Sequence, residues 1–282
     1  MKNDAKQDWK RIGIFLVICF AITFGAEIPC LWNSTYEAFS ENTKLTLIAS
    51  NLMLLPAISV FLTRLITKEG WQDSYLHLHL KGNLRFYLLA VLLPVAAGFL
   101  AAAITAVLDG GFSPAYSVST STSLILMQIA TSFCWVLPGF GEELGWRGYL
   151  YPKLERRLGT VPALLIGGVI WGLWHAPLTV AGHNFGRDYW GYPVMGILLM
   201  SLSCIVDGIS LHFLTQKTKS IYPASLMHMV LNNTTGVIIS LLIDPETMSP
   251  DRVRYVLILD TPFLIAAIVF LVLMLRRQPR SP

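Results

Sequence analysis

The chain has 282 residues, of which 54% are hydrophobic and 13% charged, with a formal charge of +4. Soluble domains carry about a quarter charged residues, so this composition argues against a water-soluble fold. Apolar stretches of about 20 residues, the length needed to cross a hydrocarbon core about 30 Å thick, recur along the whole chain.

In chain order the predicted spans are about 12–32, 43–65, 84–107, 120–140, 161–180, 191–214, 221–243 and 258–275. All are expected to be helical, because lipid offers no partner to an unpaired backbone group. A basic start, Met1 to Arg11, precedes the first. A cleaved signal peptide is rejected there: the apolar run is too long, and Pro29, Cys30 and Trp32 do not make a small-residue cleavage site. Lys68 to Gly82, with Trp71, Tyr75 and an alternating Leu-His-Leu-His-Leu, is too polar to span and reads as interfacial. The fourth span is expected to continue through Gly141 into a basic helical end near Arg157. Kinks are expected at Pro138-Gly139 with Gly141, and at Gly167-Gly168 with Pro177. Cys19, Cys30, Cys134 and Cys204 fall in four different apolar segments without paired spacing and read as small buried hydrophobes.

Cytoplasmic loops keep Lys and Arg, which gives an independent test of this layout. With alternating loops the inside set is Lys2, Lys6, Lys10, Arg11, Arg64, Lys68, Lys81, Arg85, Arg147, Lys153, Arg156, Arg157, Lys217, Lys219, Arg276, Arg277 and Arg280. Only Lys44, Arg187, Arg252 and Arg254 remain outside. The expectation is an all-α, polytopic transmembrane helical bundle of about eight spans with both termini cytoplasmic. It forms a single integral membrane domain over 1–282, with no repeat or linker. The positive charge is explained by topology, and no nucleic-acid partner is called for.

Ionisable groups in apolar spans are costly and usually face a protein interior or a water-filled cavity. Three segments concentrate them. In Gly141-Glu142-Glu143-Leu144-Gly145-Trp146-Arg147, Glu143 and Arg147 are four apart on a helix and can pair, while Glu142 points about 100° away. Glu143 is expected to neutralise Arg147, leaving Glu142 to face a cavity as a base. In Trp171-Gly172-Leu173-Trp174-His175, Gly167, Gly168 and Gly172 would let a neighbouring helix pack closely beside the histidine. In His228-Met229-Val230-Leu231-Asn232 the spacing of four puts an imidazole and a carboxamide on one face, both able to donate. Each alone has a plain structural reading as an ion pair or an interhelical hydrogen bond. Together they supply a carboxylate base, a histidine and two oxyanion donors, the equipment of water-mediated amide hydrolysis.

These residues resemble the type II CAAX prenyl endopeptidase family, which includes bacteriocin-processing and immunity relatives and is regarded as intramembrane glutamate proteases. The matching motifs are Glu-Glu-x-x-x-Arg at Glu142, Glu143 and Arg147, aromatic-x-x-x-His at Trp171 and His175, and His-x-x-x-Asn at His228 and Asn232. They lie in the family's order within a motif region of about 120–243. The resemblance implies that Glu142 and His175 activate a water, that His228 and Asn232 hold the oxyanion, and that Glu143 and Arg147 are structural or orient the substrate. Trp171 departs from the more frequent Phe and would narrow the cavity behind an aromatic wall. The resemblance further implies a peptide or protein substrate, prenylated or membrane-anchored, met in the lipid bilayer, and no catalytic metal or other cofactor. The membrane would be the plasma membrane in a prokaryote and the endoplasmic reticulum in a eukaryote.

Two rivals remain at this stage. One is a zinc protease with Glu, His and His as ligands, against which stands the lack of any His-Glu-x-x-His helix. The other is a non-catalytic immunity or peptide-binding protein using the same cavity. A transporter is disfavoured because no inverted repeats are visible. Glu27 receives no role, and Asp207 either lines the cavity or, the favoured reading, bonds a neighbouring helix. His77 and His79 are assigned to a wet membrane surface, and His183 and His212 receive no role. Asn33-Ser34-Thr35 matches a glycosylation acceptor of a kind common by chance.

Overall fold

The computed structural model describes residues 2–31, 51–114, 116, 118–132, 135–244 and 247–276, without the side chains of 2–6, 30, 118, 119 and 129–132. The described elements are α1 (Lys2–Leu31), α2 (Leu55–Thr67), α3 (Leu84–Asp109), α4 (Val118–Ser132), α5 (Val136–Gly145), a π-helical turn (Trp146–Leu150), α6 (Tyr151–Leu158), α7 (Thr160–Trp174), α8 (Ala176–Ala181), α9 (Val194–Thr218), α10 (Tyr222–Leu242) and α11 (Arg252–Leu275). Among the described residues there is no strand beyond an isolated bridge between Ser113 and Ile243. The fold is all-helical, as expected.

Among the described residues five helices are long and apolar enough to cross a membrane: Gln7–Pro29 within α1, α3, α9, α10 and α11. They expose large apolar side chains such as Val17, Leu92, Val107 and Leu264, which a bilayer would cover and water would not. The chain is an integral membrane protein.

The expected boundaries shift where local chemistry intervenes. The second predicted span is described as the short α2, and its first residues, 43–50, lie outside the described residues, as do Cys134, Lys44, Arg277, Arg280 and the Asn33-Ser34-Thr35 triplet. The fourth predicted span appears as α4 and α5 on either side of residues 133 and 134. Pro138 sits in the first turn of α5, where a missing N–H breaks no helical bond, and so it does not kink the middle of a span. From there the helix runs unbroken through the π turn to Leu158, next to the expected end at Arg157. The fifth predicted span is divided at His175, because Pro177 opens α8. The last span starts earlier than predicted. Asp251 caps α11 by accepting from the backbone N–H groups of Val253 and Arg254, which draws Arg252 and Arg254 out of the predicted loop into the first turn.

Close packing through small residues sets the centre of the bundle. α7 lies against α9, α10 against α3 and α5 against α2. A Cβ on Gly172 would stand 2.3 Å from Ser201 Cα, and one on Gly168 2.6 Å from Ile205 Cα. These are the close approaches anticipated from the glycine row. On the other side, a Cβ on Gly145 would stand 2.4 Å from Pro56 Cβ.

The 68–82 segment forms no regular helix, and an ion network ties it to the helix ends around it. Lys153 reaches Glu69 at 2.6 Å and Asp73 at 3.3 Å. Arg64 reaches Asp73 at 2.8 Å, Arg11 reaches Glu69 at 3.4 Å, and Arg156 and Arg157 both hold Asp8 at 3.2 Å. Burial raises the proton affinity of Asp73, but Lys153 and Arg64 outweigh it and hold the carboxyl below its ordinary value.

Candidate active site

A cavity of about 760 Å³ opens between α1, α5, α7, α9, α10 and α11. Glu142, Trp171, His175, His228 and Asn232 all line it, so the three sequence clusters converge on one space. Glu143 and Arg147 stand behind its wall, both fully buried.

Glu142 Oε2 accepts from the indole N–H of Trp171 at 2.7 Å and from that of Trp146 at 3.1 Å. Trp171 also turns its backbone carbonyl to His175, whose Nδ1 lies 2.9 Å away. If Nδ1 carries the proton in this bond, Nε2 is left with a lone pair and can act as a base. A single residue thus orients both groups expected to activate water. His175 is the junction residue between α7 and α8, with φ −81° and ψ 0° in the right-handed region.

Glu143 Oε1 accepts from Arg147 at 2.9 Å, the pair expected from their spacing. It also meets His228 Nδ1 at 2.8 Å, a contact across 85 residues that the sequence did not reveal. His228 Nδ1 is thus held by Glu143, a partner the sequence reading did not assign to it. Arg147 is sandwiched over the rings of Trp171 at 4.2 Å and Tyr151 at 4.8 Å, where cation–π attraction adds to the ion pair. Asn232 is exposed to the cavity.

Three lining residues were given other roles or none. Asp207 lines the cavity, the alternative left open for it, with Oδ1 buried and without a hydrogen-bond partner among the described residues. Asp260, bonded to Ser203, and His183 also face this space. Asp260 carried the same signal as Asp207, an acid within an apolar helix, and was overlooked. Among the described residues no group of three His, Cys, Asp or Glu side chains is placed to share a metal ion.

Residues 123–234 match the family model described as Type II CAAX prenyl endopeptidase Rce1-like. The chain is also 31% identical over 125 residues to a protein named CAAX prenyl protease 2 from Methanococcus maripaludis. That similarity covers 44% of this chain and 42% of the relative, so the chain spans about two fifths of the length of the curated relative it matches. Every motif residue from Glu142 to Asn232 falls inside the matched segment. The resemblance carried by the motifs is thereby shown over residues 123–234, where the chain is similar to the Type II CAAX prenyl endopeptidase Rce1-like family.

Proposed function

We propose that the chain is an intramembrane endopeptidase of the glutamate-protease kind, hydrolysing a peptide bond within its cavity. The observation that carries this reading is the meeting of Glu142, His175, His228 and Asn232 on one cavity wall, with Trp171 bonded to both members of the Glu142–His175 pair.

In this reading Glu142 and His175 take a proton from a water whose oxygen attacks the scissile carbonyl carbon. The negative charge moves to the carbonyl oxygen, which accepts hydrogen bonds from His228 and Asn232. With His228 Nδ1–H directed at Glu143, the ring must hold a second proton for Nε2 to donate, and the Glu143 carboxylate is placed to support that state. Collapse of the intermediate breaks the C–N bond, and the proton taken from water goes to the departing amine. No step calls for a metal or other cofactor.

The substrate in this reading is a peptide that reaches the cavity from the membrane, bearing a prenyl group or an apolar anchor, as the name of the relative suggests. The single domain over 1–282, the eight spans and the cytoplasmic termini belong to the same proposal, supported by the Lys and Arg distribution. The host membrane would be the plasma membrane of a prokaryote or the endoplasmic reticulum of a eukaryote.

The test is cleavage of quenched fluorescent peptides, prenylated and unprenylated, by the detergent-solubilised chain with and without a chelator. Cleavage of lipidated peptides that survives chelation and disappears in Glu142→Ala and His175→Ala is expected. Chelator-sensitive cleavage would move the chemistry to zinc. A folded wild type that cleaves nothing would favour a peptide-binding role.

A further inference from the structure

The buried face of α1 is a single stripe, Ile12, Phe15, Cys19, Thr23 and Glu27, spaced three or four residues apart. It docks through a hydrogen bond from the Trp174 indole N–H to Thr23 Oγ1 at 2.9 Å. One turn further on, Glu27 ends the stripe. It is 1% exposed, it lines the cavity, and among the described residues neither of its carboxyl oxygens has a hydrogen-bond partner. Glu27 lies outside the segment 123–234 and has no part in the hydrolytic scheme above.

An acid in such a place is costly unless something pairs with it. A buried carboxyl kept only for packing would be expected to find a donor within the protein, as Glu143 does with Arg147 and His228. Here the buried Glu27 carboxyl borders the cavity. The lining as a whole has the same sign. Glu27, Glu142, Asp207 and Asp260 contribute four carboxyl groups, and Arg252 is the one Lys or Arg among the lining residues. Asp207 also presents a partnerless oxygen. Glu27 and Glu142 are close enough for their charges to interact. The indoles of Trp171 and Trp174 belong to the same wall and would favour a cation over a neutral donor.

We infer that Glu27 is a specificity-determining residue of the cavity, receiving the ammonium or guanidinium of a basic side chain carried by the substrate close to the scissile bond. This inference rests on the endopeptidase reading for its use and narrows the substrate class to peptides with Lys or Arg beside the cleaved bond. The basic group brings several donors to acceptors that have no partner among the described residues, and a charge-assisted hydrogen bond discriminates against an apolar isostere.

The experiment is a binding scan with short apolar peptides in which lysine is moved through each position and compared with norleucine at the same place. Dissociation constants are measured on the detergent-solubilised chain carrying Glu142→Ala, which prevents turnover. At one or two adjacent positions lysine is expected to bind about tenfold tighter than norleucine, and adding Glu27→Gln is expected to bring the two within about twofold. Adding Glu27→Asp instead keeps the charge on a shorter stem, so part of the preference should return. Absence of a lysine-favouring position, no binding by any peptide, or a preference that survives Glu27→Gln would each overturn the assignment. If Glu27→Gln does not fold, Glu27→Asp decides alone, and an undiminished preference overturns it. Cleavage of the same peptides by wild type is scored separately. Lysine-dependent binding without cleavage would remove the endopeptidase reading and leave the subsite, whereas cleavage indifferent to lysine would do the reverse.

Discussion

The indole N–H of Trp171 donates to Glu142 Oε2 at 2.7 Å, a bond that the phenylalanine more usual at this motif position could not make. A hydrogen bond to a charged acceptor is worth about 1.5–3 kcal/mol, so Trp171→Phe should lower kcat by about tenfold to a hundredfold. Trp146→Phe, removing the longer 3.1 Å bond, should cost less. Steady-state kinetics on a cleaved peptide decide the matter, and an unchanged kcat in Trp171→Phe would reduce the indole to a wall.

Glu143 is the shared acceptor of Arg147 and His228, all three buried. Glu143→Gln should therefore leave Arg147 without a counter-charge and destabilise the fold by about 3–5 kcal/mol, the usual cost of breaking a buried pair. Glu142→Gln leaves that pair intact and should lower the melting temperature in detergent far less. Equal melting temperatures for the two variants would refute the structural role of Glu143.

Gly172→Ala tests the contact between α7 and α9, because its Cβ would fall 2.3 Å from the backbone of Ser201. Overpacking of about 1–3 kcal/mol is expected, together with loss of activity through displacement of His175. Gly13→Ala is the control: nothing lies within 4 Å of its Cβ, and the change in a helix interior should be stabilising by about 0.5–1 kcal/mol.

The ion network around Asp73 predicts an acid limit to stability. Its carboxyl is held below the ordinary value, so its contribution is complete above the unfolded value near 4 and is lost as pH falls through the lower folded value. The melting temperature of wild type should fall as pH drops below about 4, and Asp73→Asn should be less stable at neutral pH with a shallower fall in acid. A parallel descent of both proteins would assign the loss to other carboxylates.

Much of the site is legible in the sequence because burying charge in an apolar helix is expensive, and Glu142, Glu143, Arg147, His175 and His228 stand out on that ground alone. The i,i+4 pair of Glu143 with Arg147 and the glycines that admit α9 beside α7 follow from helical spacing. The Glu143–His228 contact does not, since it depends on how α10 is placed against α5. The indole bonds of Trp146 and Trp171 escape for a different reason: in an apolar run a tryptophan reads as packing, and only the geometry reveals where its N–H points. Hydropathy likewise merges α7 with α8, because Ala176 and Pro177 are themselves apolar while Pro177 sets the division.

The cavity wall is assembled from two sources. Glu142, His175, His228 and Asn232 come from the stretch shared with the family, whereas Glu27 and the α11 residues Tyr255, Leu259, Asp260 and Phe263 come from outside it. In the proposed scheme, bond-breaking equipment and client recognition are therefore encoded in separate parts of the chain. On that reading, substitutions in the flanking helices should change the peptide client while the proposed water-activating pair stays untouched, so an engineered change of client should begin in α1 and α11.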